Sequence, residues 1–169
     1  MSFDTLILNG TIVDGTNTPR YKADLGISGG QITAIGSLGD AEAARRIDAT
    51  GHIISPGFID THSHHDRGLL SDMRSARAVV SQGITTIVVG QDGGSQYPLV
   101  DFFTQAEATP PAVNVASYTG HAALRREVMG DDLQRTATPP ETDSMSVLLR
   151  ADMEQGSFGL STGLEYSAA

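Results

Sequence analysis

The residues best equipped for chemistry stand together at Asp60, His62, His64, His65 and Asp66. In an extended backbone, side chains two residues apart point the same way. If residues 57–64 run as a strand, Asp60, His62 and His64 share one face, and that face ends in a pair of imidazoles. Paired imidazoles at a strand end suit a divalent cation, since His is the commonest nitrogen ligand for zinc. A nearby Asp can orient a ligating ring through its second nitrogen. A His-x-His pair also occurs in polar loops, where both rings simply bond water and backbone. The apolar run Phe58-Ile59, its Pro56-Gly57 entry and the flanking carboxylates favour the metal reading. His65 points away from that face and reads as a supporting or surface residue.

The elements that must position these residues follow a change of grammar at Pro56. Residues 1–55 read as short strands with turn punctuation, a small and mostly antiparallel β module. Asn9-Gly10 between Leu6–Leu8 and Thr11–Val13 predicts one hairpin, and Gly29-Gly30 between Asp24–Ser28 and Gln31–Ile35 predicts a second. Arg46–Ala49 and His52–Ser55 predict two more strands about Gly51, and His52 reads as structural. From residue 56 strands alternate with helices. Strands are expected over 58–61, 84–89, 113–117 and 158–162, with helices over 69–82, 98–108 and from the capping-box pattern Thr138-x-x-Glu141 to about residue 155. The run Ile84–Val89 lacks alternation, as in a strand buried on both faces.

Such alternation implies a parallel sheet. The polar clusters all follow strands: His62/His64, Gln91-Asp92, His121 and Glu165-Tyr166. That placement fits the first half of a (β/α)8 barrel, whose chemistry lies at the C-terminal strand ends, better than an open doubly wound sheet.

The bulk properties set bounds on partners. The chain has 169 residues and a formal net charge of −9. An acidic balance disfavours nucleic acid and anionic membrane, which need a basic face. No cysteine is present, so thiolate ligands, a Cys nucleophile and disulfides are excluded. No apolar run of about 18 residues and no secretory signal pattern stand in the sequence, and the cytoplasm is the expected compartment.

The motif Pro56-Gly57-Phe58-Ile59-Asp60-Thr61-His62-Ser63-His64 resembles the signature of the amidohydrolase superfamily. Gly83–Gly90, Gly120–Arg125 and Gly159–Tyr166 resemble its N-acyl-D-amino-acid deacylase branch. The resemblance implies an incomplete β-sandwich module over 1–55, then the first four βα units of a metal-dependent barrel over 56–169. It implies one or two zinc ions, with His62 and His64 as ligands, and an N-acyl amino acid as substrate. The branch commonly carries a Cys ligand where this chain has Gly90-Gln91-Asp92-Gly93. Asp92 either supplies an oxygen ligand there, a harder donor than thiolate, or caps the segment that follows. Glu165 is an alternative ligand, by analogy with members that use a carboxylate after the fourth strand.

His121 and Tyr166 are candidates for substrate contact, with a backbone-bonding role equally open for His121. Arg125 either pairs with a substrate carboxylate or forms an ordinary surface ion pair. Ser161 lacks the Gly-x-Ser-x-Gly elbow of a nucleophile, and Gly130-Asp131-Asp132 reads as a solvated loop. The expected reaction is amide hydrolysis by a zinc-activated water. No catalytic acid–base group is expected in this chain, because the branch places its Asp after the eighth strand, beyond residue 169. A whole barrel needs about 250 residues, so the remaining strands are expected on a missing C-terminal part or a second chain. The competing expectations are a cyclic-amide hydrolase of the dihydroorotase or hydantoinase kind, and a non-catalytic subunit that completes a barrel.

Overall fold

A computed structural model describes residues 2–66, 68–70 and 73–166. It divides into two compact units, residues 1–56 and 57–169.

In the first unit, β1 (Ser2–Ile12), β2 (Tyr21–Ser28), β3 (Gln31–Gly36), β4 (Glu42–Asp48) and β5 (Ile53–Ile54) form one sheet. Among the described residues this unit holds a single sheet, and no second sheet packs against it within the unit. The order is β3-β2-β1-β4, with β5 also on β1. The β1–β2 and β2–β3 pairs are antiparallel, whereas β4 and β5 run parallel to β1. The module is therefore mixed rather than mostly antiparallel. Gly29 and Gly30, at φ of 59° and 75°, make the expected tight hairpin; two positive φ values match the strand twist.

Asn9-Gly10 makes no hairpin. Asn9 does adopt a left-handed φ of 62°, but as a bulge inside the continuous strand β1, where the register with β2 shifts between Ile7 and Gly10. Two carboxylates hold it there: Asn9 N donates to Asp24 Oδ1 at 2.8 Å, and its side-chain amide donates to Asp48 Oδ1 at 3.0 Å. A bulge with a left-handed residue draws on the same positive φ as a primed turn, so the dipeptide alone cannot distinguish them.

In the second unit the strands are β6 (Phe58–Asp60), β7 (Ile84–Val89), β8 (Asn114–Ser117), β9 (Thr119–Gly120) and β10 (Leu160–Ser161). β6-β7-β8 form one parallel sheet, and β9 pairs parallel with β10. β9 follows β8 across one residue, so strands are added in sequence order. The helices are α1 (Met73–Val80), α2 (Leu99–Ala108), α3 (His121–Met129) and α4 (Pro139–Glu154). α1 is shorter than the span 69–82; Leu69 and Leu70 lie in turns, and residues 71 and 72 fall outside the described residues. α4 begins with the expected capping box, Glu141 accepting from the Thr138 N–H at 2.8 Å.

The core repeats the helical spacing of three on one side and the strand spacing of two on the other. α2 contributes Leu99 and Phe102, α1 contributes Ala76 and Val79, and β7 contributes Ile87 and Val89. β7 is buried only over Ile87–Val89, and Thr85 nearer its start is exposed. Among the described residues no helix is long and apolar enough to cross a membrane.

Candidate metal centre

The strand that leads to the histidines ends at Asp60, earlier than the sequence suggested. Its alternation nevertheless continues. Ser63 N donates to Val88 O at 3.0 Å, and Ser63 is buried between two exposed histidines. Asp60 Oδ1 accepts the His62 N–H at 3.1 Å. His62 and His64 thereby project from the same side, with ring centroids 5.4 Å apart and planes at 70°.

Asp92 meets them from the loop after β7. Its Oδ2 lies 3.4 Å from His62 Nε2 and 3.1 Å from His64 Nε2. One donor atom from each of the three residues lies within 4.8 Å of the others. Zinc ligands at about 2.0–2.1 Å and tetrahedral angles stand about 3.3 Å apart. The Asp92–imidazole separations match that spacing. The donor types also match: two imidazole nitrogens and one carboxylate oxygen suit a divalent cation. Pro98, not Asp92, occupies the N-cap position of α2, so the capping alternative for Asp92 is not the one realised.

Loops after successive strands lock this arrangement. Gln91 Nε2 donates to Thr61 O at 2.9 Å and Val88 O at 3.1 Å, tying the Asp92 loop to the histidine loop. Ala122 N donates to Gly93 O at 2.8 Å. Gly163 packs so closely that a Cβ there would stand 2.3 Å from Asp92 O. Only backbone fits that contact.

The other candidates are placed differently. Glu165 is exposed and outside the three-residue cluster. The Tyr166 ring edges Gly163 and is 58% exposed. His121 opens α3, next to Ala122, and its buried Nδ1 has no hydrogen-bond partner among the described residues. Burial, then the Arg125 charge, lowers its pKa. Among the described residues Arg125 does not form the surface ion pair expected of it. It is buried, and its Nη2 donates to Leu133 O at 2.8 Å and Arg135 O at 3.0 Å. Isolated charges on helices are ordinarily solvated, and no local pattern marks this one as a clamp on a distant loop. Asp132 of the acidic loop pairs with Arg135 Nε at 2.9 Å. His52, in the first unit, lies 3.0 Å from Thr50 O through Nδ1. His65 is half-buried, its N–H donating to Ser63 Oγ at 3.4 Å.

Known proteins share this arrangement of elements. The amidohydrolase family profile matches residues 45–168. D-aminoacylase of Alcaligenes xylosoxydans xylosoxydans is 42% identical, over 99% of this chain and 39% of that enzyme. The crystal structure of N-acyl-D-glutamate deacylase from Bordetella bronchiseptica, complexed with zinc and a phosphonate mimic of the tetrahedral intermediate, superposes with a TM-score of 0.93. It is 38% identical, over 100% of this chain and 40% of that one. A D-aminoacylase structure described by its binuclear metal centre superposes with a TM-score of 0.88 at 38% identity, over 98% of this chain and 40% of that one. The chain thus spans about 40% of the length of these relatives. Its βα units are part of a (β/α)8 barrel, and the chain belongs to the amidohydrolase family.

Proposed function

We propose that the chain is the N-terminal part of a zinc-dependent hydrolase that deacylates N-acyl-D-amino acids, with residues 1–55 as its β module and 56–169 as its first four βα units. The observation that carries the reading is the shared approach of His62 and His64 to one oxygen of Asp92. The relatives named above support the substrate class. The proposed compartment is the cytoplasm, for a chain without cysteines to cross-link.

Within this scheme His62 and His64 would hold the ion through ring nitrogens, and the Asp92 carboxylate would offset part of its charge. Zinc, when bound, supplies Lewis acidity that activates water and polarises an acyl carbonyl. His121, kept uncharged near neutral pH by its lowered pKa, offers the substrate a hydrogen-bonding ring rather than a cation. Tyr166 offers a phenol from the exposed segment beside Gly163. The proton carrier is assigned to a residue outside this chain. Exposed Phe58 and Ile59 on β6, and Leu160 on β10, are the surfaces that further barrel strands would cover.

The test is a substrate panel on the complete protein: N-acetyl-D-amino acids against hydantoin and dihydroorotate, with zinc content measured for His62→Ala, His64→Ala and Asp92→Ala. Turnover of the acyl-D-amino acids and loss of zinc in the variants are expected. Turnover of the cyclic amides alone overturns the substrate class. Unchanged zinc in Asp92→Ala removes Asp92 from the ligands.

A further inference from the structure

We propose that Ser161 on β10, backed by Gly163, is a positioning residue for the Asp92 carboxylate; this rests on the reading of His62, His64 and Asp92 as metal ligands. Asp92 sits in a tight reversal in which Gly90, Asp92 and Gly93 have φ of 73°, 55° and 79°. A positive φ is uncommon for a residue with a Cβ, though Asp tolerates it better than most. The Ser161 hydroxyl donates to Gly90 O at 2.5 Å and accepts the Gly93 N–H at 3.2 Å. One hydroxyl therefore closes both ends of the segment that carries Asp92. Gly163, two residues on, adds a wall: a Cβ there would stand 2.3 Å from Asp92 O and 2.8 Å from its carbonyl carbon.

The backbone of Asp92 is thus clamped from the fourth barrel strand, while its side chain turns towards the imidazoles. Ser161 acts through Asp92 and not on a reacting atom. Its proton is committed to a carbonyl, which argues against a nucleophile. Without the hydroxyl, Gly90 O and Gly93 N–H lose this partner, and the reversal is free to rotate Oδ2 away from the 3.1–3.4 Å spacing to the two rings.

The experiment measures zinc affinity by chelator competition, and the visible spectrum of the cobalt-loaded protein, for wild type, Ser161→Ala, Ser161→Thr, Gly163→Ala and His62→Ala. Thermal midpoints of the metal-free proteins are read in parallel. Ser161→Ala is expected to bind zinc roughly 10–100-fold more weakly, with displaced cobalt bands, and Ser161→Thr, which keeps the hydroxyl, to stay near wild type. A Ser161→Ala protein with a lowered midpoint but wild-type zinc affinity and cobalt spectrum overturns the proposal, since its role would be structural only. If Ser161→Ala does not fold, Gly163→Ala decides: weakened zinc binding supports the clamp, and wild-type binding overturns it. Wild-type zinc affinity in His62→Ala overturns the ligand reading itself, whereas impaired His62→Ala beside unimpaired Ser161→Ala overturns only the positioning role.

Discussion

Gly120→Ala probes how tightly the metal-site loops are packed. Gly120 is the N-cap residue of α3 with φ of −79°, a conformation open to alanine, so space alone decides the outcome. An added Cβ would stand 2.4 Å from Gly93 O, 2.7 Å from Gly93 C and 2.8 Å from Gly94 C. Carbon–oxygen contacts settle at about 3.3 Å or more, so the Gly93 carbonyl must retreat by roughly 1 Å. That oxygen accepts the Ala122 N–H at 2.8 Å and lies one residue from Asp92. Overpacking of this kind costs about 1–3 kcal/mol, and alanine is also a poorer N-cap than glycine. Gly94→Ala is the control, because its Cβ would meet only Gln91 O at 3.7 Å; it is expected to stay within about 0.5 kcal/mol of wild type. Urea unfolding at constant m-value reads both, and zinc affinity is expected to fall for Gly120→Ala alone. Equal stability of the two variants would refute the claim that backbone packing holds the loops together.

Leu99→Ala removes a fully buried side chain from the core formed by α1, α2 and β7, and about 2–5 kcal/mol of stability is expected to go with it by urea titration. Zinc at 100 times its dissociation constant is expected to stabilise wild type by about 2.7 kcal/mol and His64→Ala much less; equal thermal shifts would count against the site. Glu141 is held far below the usual carboxylate range by Arg135 first, then by the Thr138 N–H and hydroxyl. A depressed folded-state pKa gives stability that is complete above an ordinary Glu value of about 4.3 and lost on acidification below it. The stability difference between wild type and Glu141→Gln is therefore expected to be flat above about pH 5 and to shrink below pH 4; a difference unchanged at pH 3 would contradict this.

Local patterns announced several elements of both units. Thr138 and Glu141 cap α4 because a capping box is a contact three residues long. Ile84–Val89 is a strand because β-branched residues favour extended backbone. Gly29-Gly30 turns because two adjacent glycines accept positive φ. The misreadings have a common origin. Asn9-Gly10 carries a conformation that serves turn and bulge alike, and the choice falls to Asp24 and Asp48, 15 and 39 residues away. The parallel pairing of β4 with β1 has no local signature. Arg125 looks like any helix arginine until the 131–136 loop folds over it.

By itself the sequence determined that two imidazoles stand one residue apart after a strand, that none of these 169 residues offers them a thiolate, and that strands and helices alternate from residue 56. Spacing along a chain conveys this much because strand and helix periods are local. Tertiary structure decided that Asp92, 28 residues beyond His64, turns its oxygen to both rings, while Glu165 stays outside. Which loops meet depends on strand order and on glycines thin enough to let backbones touch, and those are properties of the whole packed sheet.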